Sequence, residues 1–166
     1  MHVLYFHQHF STPEGTVGIR SYGMAQKLIS RGHKVTMVCG SFKGGNTGIT
    51  TGFKNGVRKG NVNGIDVIEL EIEYSNQQTF LQRTKSFLKF AMKSVKIALT
   101  EKYDLLFSTT TPLTAAIPGI AARWLRGKKF IFEVRDLWPE LPKEMGVITT
   151  PAVLKAMSVL EVSVLT

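Results

Sequence analysis

The chain has 166 residues, of which 43% are hydrophobic and 20% charged, with one cysteine and a formal net charge of +9. That length and balance suit one globular domain with a core of its own, or half of a two-domain enzyme, and exclude collagen-like, disulfide-rich and largely disordered classes. The single cysteine, Cys39, has no partner for an internal disulfide, which points to a reducing compartment.

His2 to His7 (HVLYFH) reads as a short buried strand, followed by a loop from Gln8 to Ile19 that holds Pro13, Gly15 and Gly18. No signal peptide is visible: the first Arg or Lys is Arg20, and the opening apolar run covers only Val3 to Phe6. Arg20 to Arg31 has apolar positions near helical spacing, with Gly32 placed to cap its end. Lys34 to Cys39 (KVTMVC) is a second strand. Strand, helix and strand in so few residues make a βαβ unit, which is right-handed and parallel.

Gly40 to Gly64 holds eight of the fifteen glycines and few large apolar residues, and is expected as a mobile Gly-rich insertion with a hairpin around Lys59-Gly60-Asn61. Ile65 to Ile72 is a strand that carries Glu69 and Glu71. Thr79 to Lys102 is a long helix whose packing face is expected to be Leu81, Leu88, Met92, Val95 and Leu99. Asp104 to Ser108 is a strand. Pro112 to Arg126 is a helix, with Pro112 in its first turn and Pro118 expected to kink it. The uncharged window from Leu105 to Ala122 is long enough for a membrane span, but its serine, threonines, prolines and glycine fit a strand and a buried helix better. Lys129 to Val134 is another strand, Arg135 to Thr150 a loop, and Pro151 to Leu165 a further helix that ends without a cap. Strands alternating with helices give a doubly wound α/β fold with a mainly parallel sheet and helices on both faces. Because such a sheet rarely stops inside a helix, the sequence is expected to be a fragment.

The charge is unevenly spread. Glu14 and Asp66 bracket eight basic residues and no acid, and a second acid-free stretch from Tyr74 to Thr100 carries Arg83, Lys85, Lys89, Lys93 and Lys96. Such fields favour phosphates, nucleic acid or an acidic membrane surface, and the basic helix at 79–102 could lie on an anionic bilayer.

Ligands of open α/β sheets bind beyond the carboxyl ends of the strands, which selects the loops 8–19, 109–112 and 135–146. In the first, Gly15 and Gly18 precede a helix whose terminal N–H groups can hold an anion, with Arg20 and Ser21 as further donors. The spacing is neither a dinucleotide fingerprint nor a P-loop, and no acid follows the second strand to hold a ribose. An ordinary βα turn fits the same residues as well as a phosphate site does. The third loop places Glu133, Asp136, Glu140 and Glu144 beside Arg135 and Trp138. A carboxylate there could bind sugar hydroxyls or accept a proton, and an arginine could hold phosphate. An Arg–Asp pair that merely fixes the loop is the plainer reading. His7 and His9 lack a third ligand for a metal, so His7 is taken as a cleft-lining residue. His33 and Cys39 read as structural.

Taken together, the segments HVLYFHQHFSTPEG, VGIRSYGMAQKLISRGHKVTMVCG, DLLFSTTTPLTAAIPG and FIFEVRDLWPELPKEMGV resemble the N-terminal domain of GT-B glycosyltransferases of family 4, nearest the subgroup of bacterial WbuB-type sugar transferases. The resemblance runs the length of the chain, weakest over 41–64, and VRDLWPE is its most specific part. It implies one Rossmann-like half of a GT-B fold, with residues 1–166 as the acceptor-side domain and the C-terminal donor-binding domain absent from this sequence. It implies a retaining transferase without metal or other cofactor, inactive as this half alone. Its partners would be a nucleotide-sugar donor, a lipid-linked glycan acceptor and the anionic inner face of a bacterial membrane, with a cytoplasmic location; nucleic acid is not expected. The glycine loop that approaches donor phosphates in the family maps onto Gly18 and its neighbours, where this chain has Val17-Gly18 in place of a Gly-Gly pair. The family's His-Asp pair is Arg135-Asp136 here, so no histidine role transfers, while Asp136 becomes the candidate for acceptor binding or acid–base work. Gly15, Gly18, Arg20, Ser21, His7, Arg135 and Glu140 are the candidate binding residues. The rival readings are a non-enzymatic anion- or nucleic-acid-binding α/β module, which charge alone suggests, and a flavodoxin-like regulatory domain, which would need clustered acids after the first strand.

Overall fold

A computed structural model describes residues 1–75, 77–110, 112–135 and positions 155, 158 and 159. Strand β1 (His2–Phe6) leads to α1 (Arg20–Ser30) and β2 (Lys34–Phe42); β3 (Val57–Val62) and β4 (Ile65–Tyr74) follow, then α2 (Phe80–Thr100), β5 (Leu105–Thr109), a 3₁₀ turn (Leu113–Ala116), α3 (Ile117–Arg126) and β6 (Lys129–Glu133). The six strands form one sheet in the order β3-β4-β2-β1-β5-β6, parallel except for β3, which runs antiparallel to β4 at the edge. This is the expected Rossmann-like α/β sheet with helices on both faces.

Alternation along the strands sorts the core into two layers. Leu4, Phe6, Val38, Ile68, Leu70 and Leu106 face α2 and α3. Tyr5, Val35, Met37, Cys39, Ile65 and Val67 face the other way, toward Ala25 of α1. Cys39 is fully buried, and burial pushes its thiol well above the usual range, as the structural reading expects. The α1 helix ends in paired bonds from Gly32 N–H to the Ile29 carbonyl (2.9 Å) and from His33 N–H to the Leu28 carbonyl (3.1 Å). Gly32 stands at φ 78°, just past the last helical turn, where a glycine stop belongs.

Three expectations need correction. Residues 40–64 are in part sheet: 40–42 finish β2 and 57–62 are β3. Lys59-Gly60-Asn61 lies inside β3, and the hairpin turns instead at Asn63 (φ 51°) and Gly64 (φ 85°), an Asn-Gly pair with both residues left-handed, as a tight twisted hairpin requires. Between β2 and β3 no helix crosses over; the segment 43–56 covers that face and inserts Ile49 into the core. Pro118 kinks nothing, because the chain makes a 3₁₀ turn first and Pro118 falls in the opening turn of α3, where no N–H is required.

The third correction concerns α2. Leu81, Leu88 and Met92 are exposed, at 70%, 48% and 75%. The buried face is Phe90, Ala91, Ser94 and Ala98, with Phe87 and Ile97 beside it. Small side chains let the helix sit close on the sheet, and the larger leucines are displaced outward. Thr79 caps α2 through a reciprocal box: its hydroxyl accepts from Gln82 N–H, and Gln82 Oε1 accepts from Thr79 N–H at 2.9 Å. Thr79→Ala should cost about 1 kcal/mol, read as a lower urea midpoint with an unchanged slope.

Candidate functional site

The strand order reverses at β1: the chain passes from β1 to β2 on one side and later returns as β5 on the other. A crevice opens at the carboxyl ends of the strands at such a point. The end of β1 delivers His7, the start of α1 delivers Arg20 and Ser21, and β5 and β6 deliver Thr109, Thr110, Glu133 and Arg135.

These residues are wired together. His7 Nδ1 and Ser21 Oγ share a buried hydrogen bond of 2.7 Å. Arg20 donates through Nε (3.1 Å) and Nη2 to Glu133 Oε1, closing an ion pair across the crevice. Thr109 Oγ1 donates to Glu133 Oε2 at 2.7 Å, Thr110 N–H to the Glu133 carbonyl at 3.0 Å, and Arg135 N–H to Thr110 Oγ1 at 2.8 Å. Sequence reasoning missed Glu133 as the organising group, and with it Thr109 and Thr110. The Thr109–Thr111 run at the end of a strand was the available signal. Tyr5, beneath the crevice, has its phenol pushed up by burial and then by the Glu133 charge.

The α1 N-terminus has no side-chain cap and no acid in its first turn, so its terminal N–H groups and positive dipole end are uncompensated by the helix itself. Gly18 lies just before it, and a Cβ built there would meet nothing within 4 Å. Gly15 is different. A Cβ there would collide with Ser11 Oγ and come within 2.9 Å of the Asn46 backbone nitrogen. The reason is a zipper between the first loop and the 43–48 segment. Thr12 N–H and Oγ1 both donate to the Asn46 carbonyl (2.7 and 2.8 Å), Asn46 N–H donates to Ser11 Oγ (3.0 Å), and Thr16 N–H donates to the Gly44 carbonyl (2.9 Å). The structure therefore brings Gly18, Arg20, Ser21, His7 and Arg135 to one crevice and leaves Gly15 as a packing glycine. Asp136 and Glu140 lie outside the described residues.

The two histidines go separate ways. His9 is wedged in an aromatic cluster, 4.4 Å from the Tyr74 ring and 5.1 Å from Phe42. Burial lowers His9 to about 4. His7 falls to about 3, through burial first and then the nearby charges of His9 and Arg135. Both are neutral at pH 7, and no group of three metal-ligating side chains forms among the described residues. A depressed folded value means that the unfolded chain takes up the proton first, so this stability is complete above about pH 6.5 and is lost as pH falls toward 3. His7 alone should withdraw about 2 kcal/mol between pH 7.5 and pH 5. Urea unfolding at both values should show a loss about 2 kcal/mol smaller in His7→Gln than in the parent chain, with the part due to His9 remaining in both.

A model of the family described as glycosyl transferase 4-like domain matches residues 15–164. No curated protein matches the chain. Among solved structures, one described as trehalose-6-phosphate from E. coli bound with UDP-2-fluoro glucose is similar, with a TM-score of 0.55 at 12% identity. The similarity covers 98% of this chain and 37% of that one, so this sequence spans little more than a third of that neighbour's length, and at that identity the likeness concerns the fold.

Proposed function

The chain belongs to the glycosyl transferase 4-like domain family, and on that footing we propose that it is the acceptor-side half of a retaining, WbuB-like hexosyltransferase. The whole enzyme would move sugar from a nucleotide-sugar to a lipid-linked glycan in bacterial surface-polysaccharide synthesis. The observation that carries this reading is the open approach at Gly18, beside the uncapped N-terminus of α1 and the Arg20 guanidinium. Breaking the bond between sugar and nucleotide leaves negative charge on a diphosphate. Oriented N–H groups and an arginine stabilise that charge without reorganising at the moment of reaction. The Arg20–Glu133 pair holds the guanidinium in place, and the His7–Ser21 bond, with its neutral imidazole, pins the first turn of α1 to the end of β1. Arg135, Asp136 and Glu140 are the proposed acceptor-side groups, with Asp136 for acceptor orientation or proton transfer. No cofactor is required by this scheme, and the donor is held mostly by a second domain that this half lacks.

The outer face of α2 supports a peripheral position on the cytoplasmic side of a membrane. Leu81, Leu88 and Met92 project from it beside Lys85, Lys89 and Lys96, the composition of an interfacial helix. No helix among the described residues is long and apolar enough to cross a bilayer.

The test is transfer from labelled nucleotide-sugars to a lipid extract by the protein carrying both halves. The expected product is lipid-soluble, keeps the donor's anomeric configuration, and disappears in Asp136→Ala. Unchanged turnover in that variant removes Asp136 from the mechanism. Transfer by these 166 residues alone contradicts the two-half assignment. Tight, salt-sensitive oligonucleotide binding with no transfer from any donor would replace the reading with a nucleic-acid module.

A further inference from the structure

A second cavity, of about 260 Å³, opens on the other side of the first loop, between the ends of β2 and β4 and the 43–56 segment. We propose that it is a subsite for one uncharged sugar ring. The choice of ligand class rests on the glycosyl-transfer reading; the argument for the cavity rests on its walls.

Its floor is a completed ion pair. Arg58 donates from Nε to Glu69 Oε2 and from Nη2 to Glu69 Oε1, both at 2.9 Å, and from Nη1 to the Thr51 carbonyl at 3.3 Å. Thr47 and Ser41 hydroxyls supply further donors to the same carboxylate. Three of the five N–H groups of Arg58 are engaged and its charge is matched by Glu69, while Glu71 and Glu73 leave the lining net negative, which disfavours a phosphate. The polar groups left for a ligand are the carboxylates of Glu71 and Glu73, which make no ion pair among the described residues, and the NH₂ of Asn46, whose Oδ1 already accepts from Gly48 N–H at 2.8 Å. Lys85 and Lys89 line a neighbouring cavity with the same two glutamates and offset their charge, which disfavours a cationic ligand as well.

The remaining walls are aromatic: Phe42 and Phe53, both half-buried, over a fully buried Phe10. Phe53 is held by the Arg58 guanidinium, 4.6 Å from its ring centroid. Aromatic faces that accept the C–H side of a pyranose, with carboxylates and an amide for its hydroxyls, are the complement of a neutral sugar. The volume lies below the roughly 300–1,000 Å³ of drug-sized sites, which fits one ring and not two. The zipper that fixes Asn46 also fixes the loop carrying Gly18, so a ring seated here is held in register with the crevice.

Nitrogen-15 chemical-shift titration of the 166-residue chain tests this, with methyl hexosides, methyl N-acetylhexosaminides and glucose 6-phosphate as probes. The expected result is that at least one uncharged glycoside shifts the amides of Gly45, Asn46 and Thr47 with millimolar affinity, at least fivefold tighter than the sugar phosphate. Glu71→Gln and Phe53→Ala should each weaken that binding at least fivefold, and the first leaves the Arg58–Glu69 floor intact if the second loosens it. No shift by any uncharged glycoside, or tighter binding of the phosphate, overturns the proposal. Transfer activity in the two-domain enzyme together with an unresponsive cavity refutes this subsite alone. Sugar binding here without transfer refutes the enzymatic reading and leaves the subsite standing.

Discussion

Arg58→Ala should destabilise the domain by about 3–5 kcal/mol, lowering the melting temperature by about 10 °C for a chain of this size. Glu69 is nearly sealed from solvent, with its side chain 3% exposed, and Arg58 is 22% exposed above it. The guanidinium supplies two of the hydrogen bonds to the carboxylate, and only the Ser41 and Thr47 hydroxyls remain once it is gone. A buried carboxylate without its counter-charge costs far more than the net worth of the pair, because its desolvation stays while the attraction vanishes. The same change releases Phe53 and frees the edge strand β3, which Arg58 ties to β4 at the Arg58–Glu69 register position. Arg58→Lys keeps charge without the two-pronged fit and should fall between. The double variant Arg58→Met with Glu69→Met should recover most of the loss, since apolar residues of similar volume leave no orphaned charge. Thermal and urea unfolding of the four proteins checks this. A cost below 1 kcal/mol for Arg58→Ala would mean that the pair behaves as an exposed one.

That ion pair also shows where the sequence was readable and where it was not. The β1–α1–β2 unit could be read directly, because HVLYFH and KVTMVC are dense apolar runs on either side of a helical period and a glycine stop. Strand β3 could not. VRKGNV has weak strand propensity and lies at an edge with only one neighbour, so its pairing is fixed by tertiary contacts: the Arg58–Glu69 bond and the turn after it. The Asn63-Gly64 pair was a legible hairpin signal, obscured by the density of glycines around it. In α2 the amphipathic pattern held two candidate stripes. Hydrophobicity favoured the leucines, while close packing selected Ala91, Ser94 and Ala98. At the crevice, chain order selected loops 8–19 and 109–112, whose described residues lie at the carboxyl ends of the strands, but the Arg20–Glu133 pair joins residues 113 positions apart and has no local signature. Gly15 and Gly18 looked equivalent for the same reason. What separates them is the hydrogen-bond zipper to 43–48, which exists only after folding.

Gly18→Val should abolish most glycosyl transfer while leaving stability untouched, and this is the sharpest functional prediction because the two effects separate cleanly. The position has an ordinary backbone conformation, with no left-handed φ, and open space where a side chain would grow. The folded domain therefore pays nothing for a branched side chain there, and the change in unfolding free energy should stay within about 0.5 kcal/mol. The new methyl groups would occupy the approach to the uncapped N-terminus of α1, where the donor diphosphate is proposed to lie. A displacement of about 1 Å in a reacting group costs on the order of 10²-fold in rate, and kcat/KM in the proposed two-domain enzyme should fall by at least that factor. Gly15→Ala is the matched control with the opposite profile. Its Cβ meets Ser11 Oγ and the Asn46 backbone, so it should lower the melting temperature by several degrees, about 1–3 kcal/mol of overpacking, with activity declining only as far as the loop zipper loosens. Kinetics and thermal melts on the same two variants give four numbers. If Gly18→Val retains full kcat/KM, the donor phosphates do not approach through this loop, and the glycine is there for the turn alone.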